Sequence, residues 1–338
     1  MASVQRRMFL GLSGAVVFGD KDAAAASPFP IIDTHIHLGD PTRRRGGAGG
    51  RSGPPPGSAP PAGQARRGGL FTEPTLPERY RRVVAGPLGF AGAIEIEASA
   101  EVEENQWVLD VSEKDPIMVG TVGNLEPEKP EFGQLLQRFH KNPLFRGIRY
   151  GNIFGRNLAT AVDNPEFIAG LKLLADADLS LDSANPDLAL LTAILKISDR
   201  VPNLRVIIDH LPQMVVPTDP AGRAQNDSVM REFRSRTRVF VKVTQVLRSV
   251  DDKIPEDLEF YRPRLDEIYE TFGQDRVLFG SDWPNSDRRL PPEAGFRLVR
   301  EYFTAKGAEI AEKCFWRNSV KAYKWARRDT SQPDPKTA

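Results

Sequence analysis

The chain has 338 residues, 40% of them apolar and 27% charged, enough to bury one large core or two ordinary ones. The 46 basic and 45 acidic side chains leave a formal net charge of +1, so composition makes no electrostatic case for nucleic acid. The one cysteine, Cys314, excludes an internal disulfide and a cysteine-based zinc site. Its setting, AEKCFWRNSVKAY, predicts a small core residue on an amphipathic helix.

The chain opens with SVQRRMFLGLSGAVVFGDKDAAAASP. Arg6-Arg7 precedes a mildly apolar run over 8–19 and then an alanine-rich stretch with small-x-small sites. The run is too short to span a bilayer, and no other run is long enough, so no membrane span is expected. The pattern resembles a bacterial twin-arginine (Tat) signal over residues 1–26, with cleavage within Ala23 to Ala26. It predicts a periplasmic or secreted protein that meets the Tat translocase. A cytoplasmic chain with a basic tail is the alternative.

The first strand is PIIDTHI (30–36). An abrupt change follows at 42–75, where TRRRGGAGGRSGPPPGSAPPAGQARRGG offers almost nothing to bury. Such a composition does not offset its ordering entropy and predicts a mobile insertion. It is not a domain boundary, because too little chain precedes it. Arg43 to Arg45 read as solvating charge or as a lid over an anionic substrate.

Seven further apolar, β-branched runs follow: AGAIEIE (91–97), IMVGTVG (117–123), RGIRYG (146–151), LSLDSA (179–184), LRVIIDH (204–210), VFVKVT (239–244) and VLFGSDW (277–283). Helical patterns lie between them. TLPERYRRVVAG carries an apolar stripe, SAEVEENQWVLDVSEK opens with a Ser cap, and NPEFIAGLKLLADA has an Asn cap with Pro behind it. NPDLALLTAILKISDRV repeats that device, and DLEFYRPRLDEIYETFG and PPEAGFRLVREYF complete the series. Strands alternating with helices predict a single-domain α/β fold, a (β/α)8 TIM barrel over 27–328, with 329–338 as a C-terminal tail. An open doubly wound sheet is the rival, but no Gly-rich phosphate loop follows the first strand.

In a barrel, chemistry gathers where strands end. The first strand ends in Asp33, His35 and His37, and residues two apart share a face, so both rings point one way. They form a metal-ligand pair or two hydrogen-bonded histidines. The second strand ends in Glu95 and Glu97, two carboxylates on one inward face. Glu97 is a candidate ligand or hydrogen-bond anchor, and Glu95 is expected to be held by a buried Arg or Lys. Arg149 and Lys242 each sit within apolar runs. They either neutralise Glu95 and Glu97 or present a clamp to a substrate carboxylate. His210 ends the sixth strand after Asp209, and Asp282 ends the eighth, followed by Trp283 and Pro284. Closure of the barrel brings Asp282 beside His35 and His37. Imidazoles plus a carboxylate make a mononuclear site for zinc or a similar metal, and the carboxylate could equally take a proton from water. His140 reads as a surface residue. No Gly-x-Ser-x-Gly elbow is present, which argues against a serine hydrolase.

IIDTHIHLGD, RGIRYGN, NLRVIIDHLP and FGQDRVLFGSDWPNS together resemble the amidohydrolase superfamily, in its lactonase-related branch, over residues 31–323. The resemblance implies that His35 and His37 are the first-strand pair, His210 the sixth-strand histidine and Asp282 the base that activates water. Glu97 falls where some relatives have Glu or Gln near the metal. The fifth strand lacks a histidine and the fourth lacks a lysine at its end, so the implied site holds one divalent metal, zinc or manganese, and metal-free polarisation by the histidines stays open. The implied function is opening of a small cyclic ester, a sugar lactone or a carboxylated lactone. Arg149, Lys242 and Trp283 are the candidate contacts to this small-molecule substrate. A metal-dependent decarboxylase of the aminocarboxymuconate-semialdehyde decarboxylase type is the alternative, and a non-catalytic binding barrel is a second. Association of identical chains is left open.

Overall fold

The eight apolar runs become eight parallel strands in one sheet, ordered as in the sequence: β1 Ile32–Ile36, β2 Gly92–Ile96, β3 Met118–Gly123, β4 Phe145–Arg149, β5 Ser180–Ser183, β6 Arg205–Ile208, β7 Val239–Val243 and β8 Val277–Phe279. The computed structural model describes residues 29–43, 72–286 and 290–338. The export segment and the 44–71 part of the insertion lie outside the described residues. Nearly every strand residue is buried, because the barrel interior covers one face and helices the other. This is why these strands read as continuous apolar runs rather than alternating ones.

The seam between β1 and β8 is closed by short-range bonding at the strand ends. Ile36 bridges Trp283 in parallel, His37 N donates to Trp283 O at 2.8 Å, and Asp282 N donates to His35 O at 2.8 Å. Thr34 Oγ1 adds a bond to Phe279 O at 2.7 Å. The architecture is the predicted (β/α)8 barrel.

Helix starts follow capping chemistry, with two corrections. Asn164 caps Pro165–Asp176 through Glu166 N, with Pro at the first helical position, as predicted. In the next helix, Leu188–Arg200, the cap is Asp187, accepting from Leu190 N, and not Asn185. Asn185 instead adopts left-handed backbone and bonds across to Asn152 O at 2.9 Å. Ser99 does not cap a helix either. It accepts from Glu101 N at 3.1 Å in a turn, and Glu104–Glu113 begins later without a side-chain cap. Leu190, Leu191, Ile194 and Ile197 of Leu188–Arg200 are fully buried against the sheet, each contributing about 1.5–3 kcal/mol. The sequence reading assigned no helix to Pro220–Phe233, whose buried stripe is only Asn226, Val229, Met230 and Phe233.

The C-terminal segment closes the end of the barrel opposite the strand tips. Arg205, which starts β6, donates to Ala322 O at 2.8 Å. Arg328 donates to Ser112 O, Asp115 O and Met118 O, the last at the start of β3. Tyr323 and Trp325 are buried, and Gln332 binds Pro116 O at 2.7 Å, so docking continues past the 328 boundary read from the sequence. Cys314 is buried and His140 is exposed at a helix end. Among the described residues no helix is long and apolar enough to cross a membrane.

Candidate active site

Alternation along β1 sends Asp33, His35 and His37 the same way. Asp33 is a brace. Its carboxylate accepts from Ser281 N at 2.8 Å, His35 N at 3.2 Å and Tyr80 Oη at 2.9 Å, tying β1 to the chain beyond β8. Burial pushes its carboxyl up to about 6 against the pull of those bonds.

Asp282 is the focus of the site. Its Oδ1 lies 3.1 Å from His37 Nε2, 3.5 Å from His35 Nε2 and 3.9 Å from His210 Nε2. Its Oδ2 accepts a bond from Gln245 Nε2, and Asn285 Nδ2 approaches Oδ1 at 3.4 Å. Asp282, His210 and Gln245 all carry left-handed backbone, with φ of 60°, 56° and 49°. Non-glycine residues pay on the order of 1–3 kcal/mol for this, and it swings three side chains inward just past their strands.

Hydrogen bonding assigns two tautomers. His37 Nδ1 lies 2.7 Å from Ile96 O, which only accepts, so Nδ1 carries hydrogen. Its Nε2 lone pair then faces the Asp282 carboxylate, an opposition that a shared proton or a cation relieves. His210 Nε2 lies 3.4 Å from Arg149 Nη2, which only donates, so the hydrogen of His210 is on Nδ1, 2.6 Å from Thr244 Oγ1. Burial lowers His210 to about 4, and burial with Lys242 holds His35 well below its ordinary value. Burial works against the ionised Asp282, but His210, His37 and His35 outweigh it and hold the carboxyl well below the usual range.

A layer of paired charges lies directly below. Lys242 is fully buried and contacts Asp182 Oδ2 at 2.7 Å and Asp209 Oδ1 at 3.0 Å. Arg149 Nε lies 3.0 Å from Asp209 Oδ2. Tyr323 Oη donates to Asp182 Oδ2 at 2.6 Å. Burial opposes the ionised Asp209, yet Lys242, His35 and Arg149 hold its carboxyl well below the ordinary range.

These contacts correct several expectations. Among the described residues neither Arg149 nor Lys242 forms an ion pair with Glu95, and the ammonium of Lys242 is enclosed by protein carboxylates rather than offered to a substrate. Asp209 is their common partner. Glu97 pairs instead with Arg156, from the loop after β4, and burial still raises Glu97 to about 7. Among the described residues Glu95 has no ion pair and its Oε1 no hydrogen-bond partner, and burial pushes its carboxyl well up. Trp283 is wholly buried with its ring 5.5 Å from Tyr80, at the seam rather than as an open platform.

The cation-holding set also differs from the one expected. Ligand atoms of His35, His210 and Asp282 lie within 4.8 Å of one another, and His37 and Glu97 fall outside that group. His35 Nε2 is fully buried and has no hydrogen-bond partner among the described residues. Two imidazoles held neutral, one carboxylate and an orphaned ring nitrogen are the donor set that a single divalent cation satisfies. Two residues of the site had no role in the sequence reading: Gln245, which orients Asp282, and Thr244, which orients His210. A cavity of about 310 Å³ adjoins Asp282, between the ends of β7 and β8 and helix Pro292–Lys306.

The chain is similar to known proteins along most of its length. An L-fucono-1,5-lactonase of Burkholderia ambifaria is 25% identical over 66% of this chain and 77% of its own. An L-rhamnono-gamma-lactonase of Scheffersomyces stipitis is 24% identical over 62% of this chain and 66% of its own. The fold matches the crystal structure of an amidohydrolase from Burkholderia multivorans with bound zinc, at 18% identity and a TM-score of 0.70, covering 88% of this chain and 99% of that one. The Amidohydrolase (Amidohydro_2) family profile matches residues 32–325, and the chain belongs to that family.

Proposed function

We propose that this protein opens a small cyclic ester by adding water to its carbonyl carbon. The observation that carries the reading is the convergence of three imidazole Nε2 atoms on Asp282 Oδ1, buried where β1, β6 and β8 end. The sugar lactonases among its relatives support the choice of ester over other acyl substrates.

His35, His210 and Asp282 would hold one divalent cation, zinc first and manganese second. When bound, such a cation supplies Lewis-acid polarisation of the carbonyl and eases deprotonation of water. The side chains do the remainder. Asp282 Oδ1 takes the proton from the attacking water, and Gln245 keeps Oδ2 occupied so that Oδ1 is the atom presented. Water oxygen bonds to the carbonyl carbon, the ring C–O bond breaks, and Asp282 returns the proton to the leaving ring oxygen. The product is a hydroxy acid. Arg149, beside His210, counters negative charge developing on the carbonyl oxygen. His37 Nε2, 3.1 Å from Asp282 Oδ1, accepts a hydrogen bond from that oxygen once it carries the proton. The export reading of residues 1–26 adds that the folded, loaded protein crosses the membrane, which unchanged export after replacement of Arg6-Arg7 by Lys-Lys would sink.

The test is a lactone panel followed by acid release in a pH-stat, with elemental analysis of protein purified without chelator. Ring opening with near-stoichiometric zinc or manganese, lost in His35→Ala, is the expected result. Carbon dioxide release from a carboxylated substrate without ring opening would transfer the site to the decarboxylase reading. Activity in a metal-free preparation would remove the cation from the reading and leave polarisation of the carbonyl to Arg149.

A further inference from the structure

The cavity beside Asp282 is not the space in which the imidazoles converge. It lies on the far side of the β7–β8 tips, toward helix Pro292–Lys306. One side of it is apolar, with Val243, Leu247, Phe279, Phe296 and Val299, and the other is polar, with Gln245, Asp282 and Asn285 joined by Thr244, Ser281 and Ser286. Gly280, which lines the chamber, packs directly on the first histidine: a Cβ there would strike His35 Cβ at 2.7 Å and Thr244 Cγ2 at 2.6 Å. The same aspartate that closes on the imidazoles therefore forms the chamber's rim.

We propose that this chamber receives an apolar arm carried by the substrate, so that the preferred substrate is a lactone with an alkyl or aryl substituent next to the ring oxygen. The proposal rests on the lactone reading and names its substrate class. A volume of about 310 Å³ is ligand-sized rather than a packing defect. The side chains of Val243, Leu247, Phe279, Phe296 and Val299 offer no hydrogen-bond partner, so each sugar hydroxyl placed among them would be buried unpaired, at a cost a methylene does not incur. The rim accounts for the polarity of the rest of the molecule: Asn285 and Gln245 stand where the ester end meets Asp282. An aliphatic arm in the chamber and a carbonyl at the imidazoles would place the scissile bond at the carboxylate between them.

The experiment compares one ring with and without an arm: δ-valerolactone against its 5-pentyl derivative, with a polyhydroxylated six-membered sugar lactone alongside. Wild type is expected to favour the pentyl lactone by at least about tenfold in kcat/KM, the scale at which apolar pockets discriminate. Gly295→Leu, from the helix wall, should collapse that ratio toward one, and the ratio cancels any loss common to both substrates. Gly295→Ala, whose Cβ meets Leu247 Cδ1 at an ordinary 3.8 Å, should fall between them and guards against a folding defect in the larger variant. Equal kcat/KM for the two rings, a ratio unmoved by Gly295→Leu, or preference for the sugar lactone would overturn the proposal while leaving lactone hydrolysis standing. If no lactone is opened, the lactone reading falls, and the chamber is decided by calorimetry with 5-hydroxydecanoate. Binding lost in Gly295→Leu then supports it, and no binding to wild type overturns it.

Discussion

Asp209 and Asp282 are both wholly buried and both held below the ordinary carboxylate range, but by different company. Asp209 faces Lys242 and Arg149, which carry fixed charge, and with Asp182 the layer holds two cations against two aspartates. Asp282 faces three imidazoles and an amide, and burial keeps His35 and His210 neutral. Among the described residues no lysine or arginine forms an ion pair with it. The lower layer is complete as built, whereas the upper one is short of positive charge. A buried site short of charge must borrow it, from a cation or from the proton of the reacting water, and that need separates a working carboxylate from a structural one.

The contrast can be broken experimentally, beginning with its upper member. Asp282→Asn should lower kcat by about 10²–10⁴-fold in a protein that still folds by circular dichroism, since it removes the base. Retained turnover would return the non-catalytic barrel to contention. In the lower layer the effect should reverse in kind. Lys242→Met leaves Asp209 and Asp182 short of a partner and should cost about 3–5 kcal/mol in chemical denaturation. A variant as stable as wild type would show that the charge layer is not a matched set.

Proton linkage sharpens the same comparison. His210 is held near 4 against an ordinary 6.5, so between those values the unfolded chain takes up a proton that the folded one refuses. The stabilising contribution of neutral His210 is therefore whole above pH 6.5 and is lost as the pH falls toward 4. In metal-free protein the stability advantage of wild type over His210→Gln should shrink by about 3 kcal/mol across that window. A pH-independent difference would mean that the ring is not held neutral. The smallest effect belongs to Gln245→Leu. Freeing Asp282 Oδ2 should lower kcat about tenfold with little change in KM, as loss of a positioning residue does. An effect on KM alone would make Gln245 a substrate contact instead.

Most of the frame was legible in the sequence because buried parallel strands advertise themselves as short apolar runs, and all eight did. Helix Pro220–Phe233 was not, since its sparse buried stripe barely departs from a polar background. Asn185 and Asp187 show the limit for caps: both residues suit the role, and only the backbone chooses. In the site, His35, His37, His210 and Asp282 stood out because scarce histidines and an aspartate fell at strand ends. The partners of Arg149 and Lys242 did not, because pairing across the barrel depends on register and depth. Gln245 was hidden for a local reason: a left-handed residue past the end of β7 redirects its side chain in a way that alternation does not encode.

The seam between β1 and β8 has a consequence for how the molecule is made. His35 and Asp282 are separated by almost the whole barrel sequence, and Asp33 finds Ser281 across the same gap. During synthesis β1 leaves the ribosome with one edge unpaired and its histidines exposed, and it waits through six intervening strands for its neighbour. The lower charge layer waits longer still, until Tyr323 reaches Asp182. A nascent chain arrested before β8 would hold neither a base nor a complete set of cation ligands, so the chemistry switches on only when the ring closes.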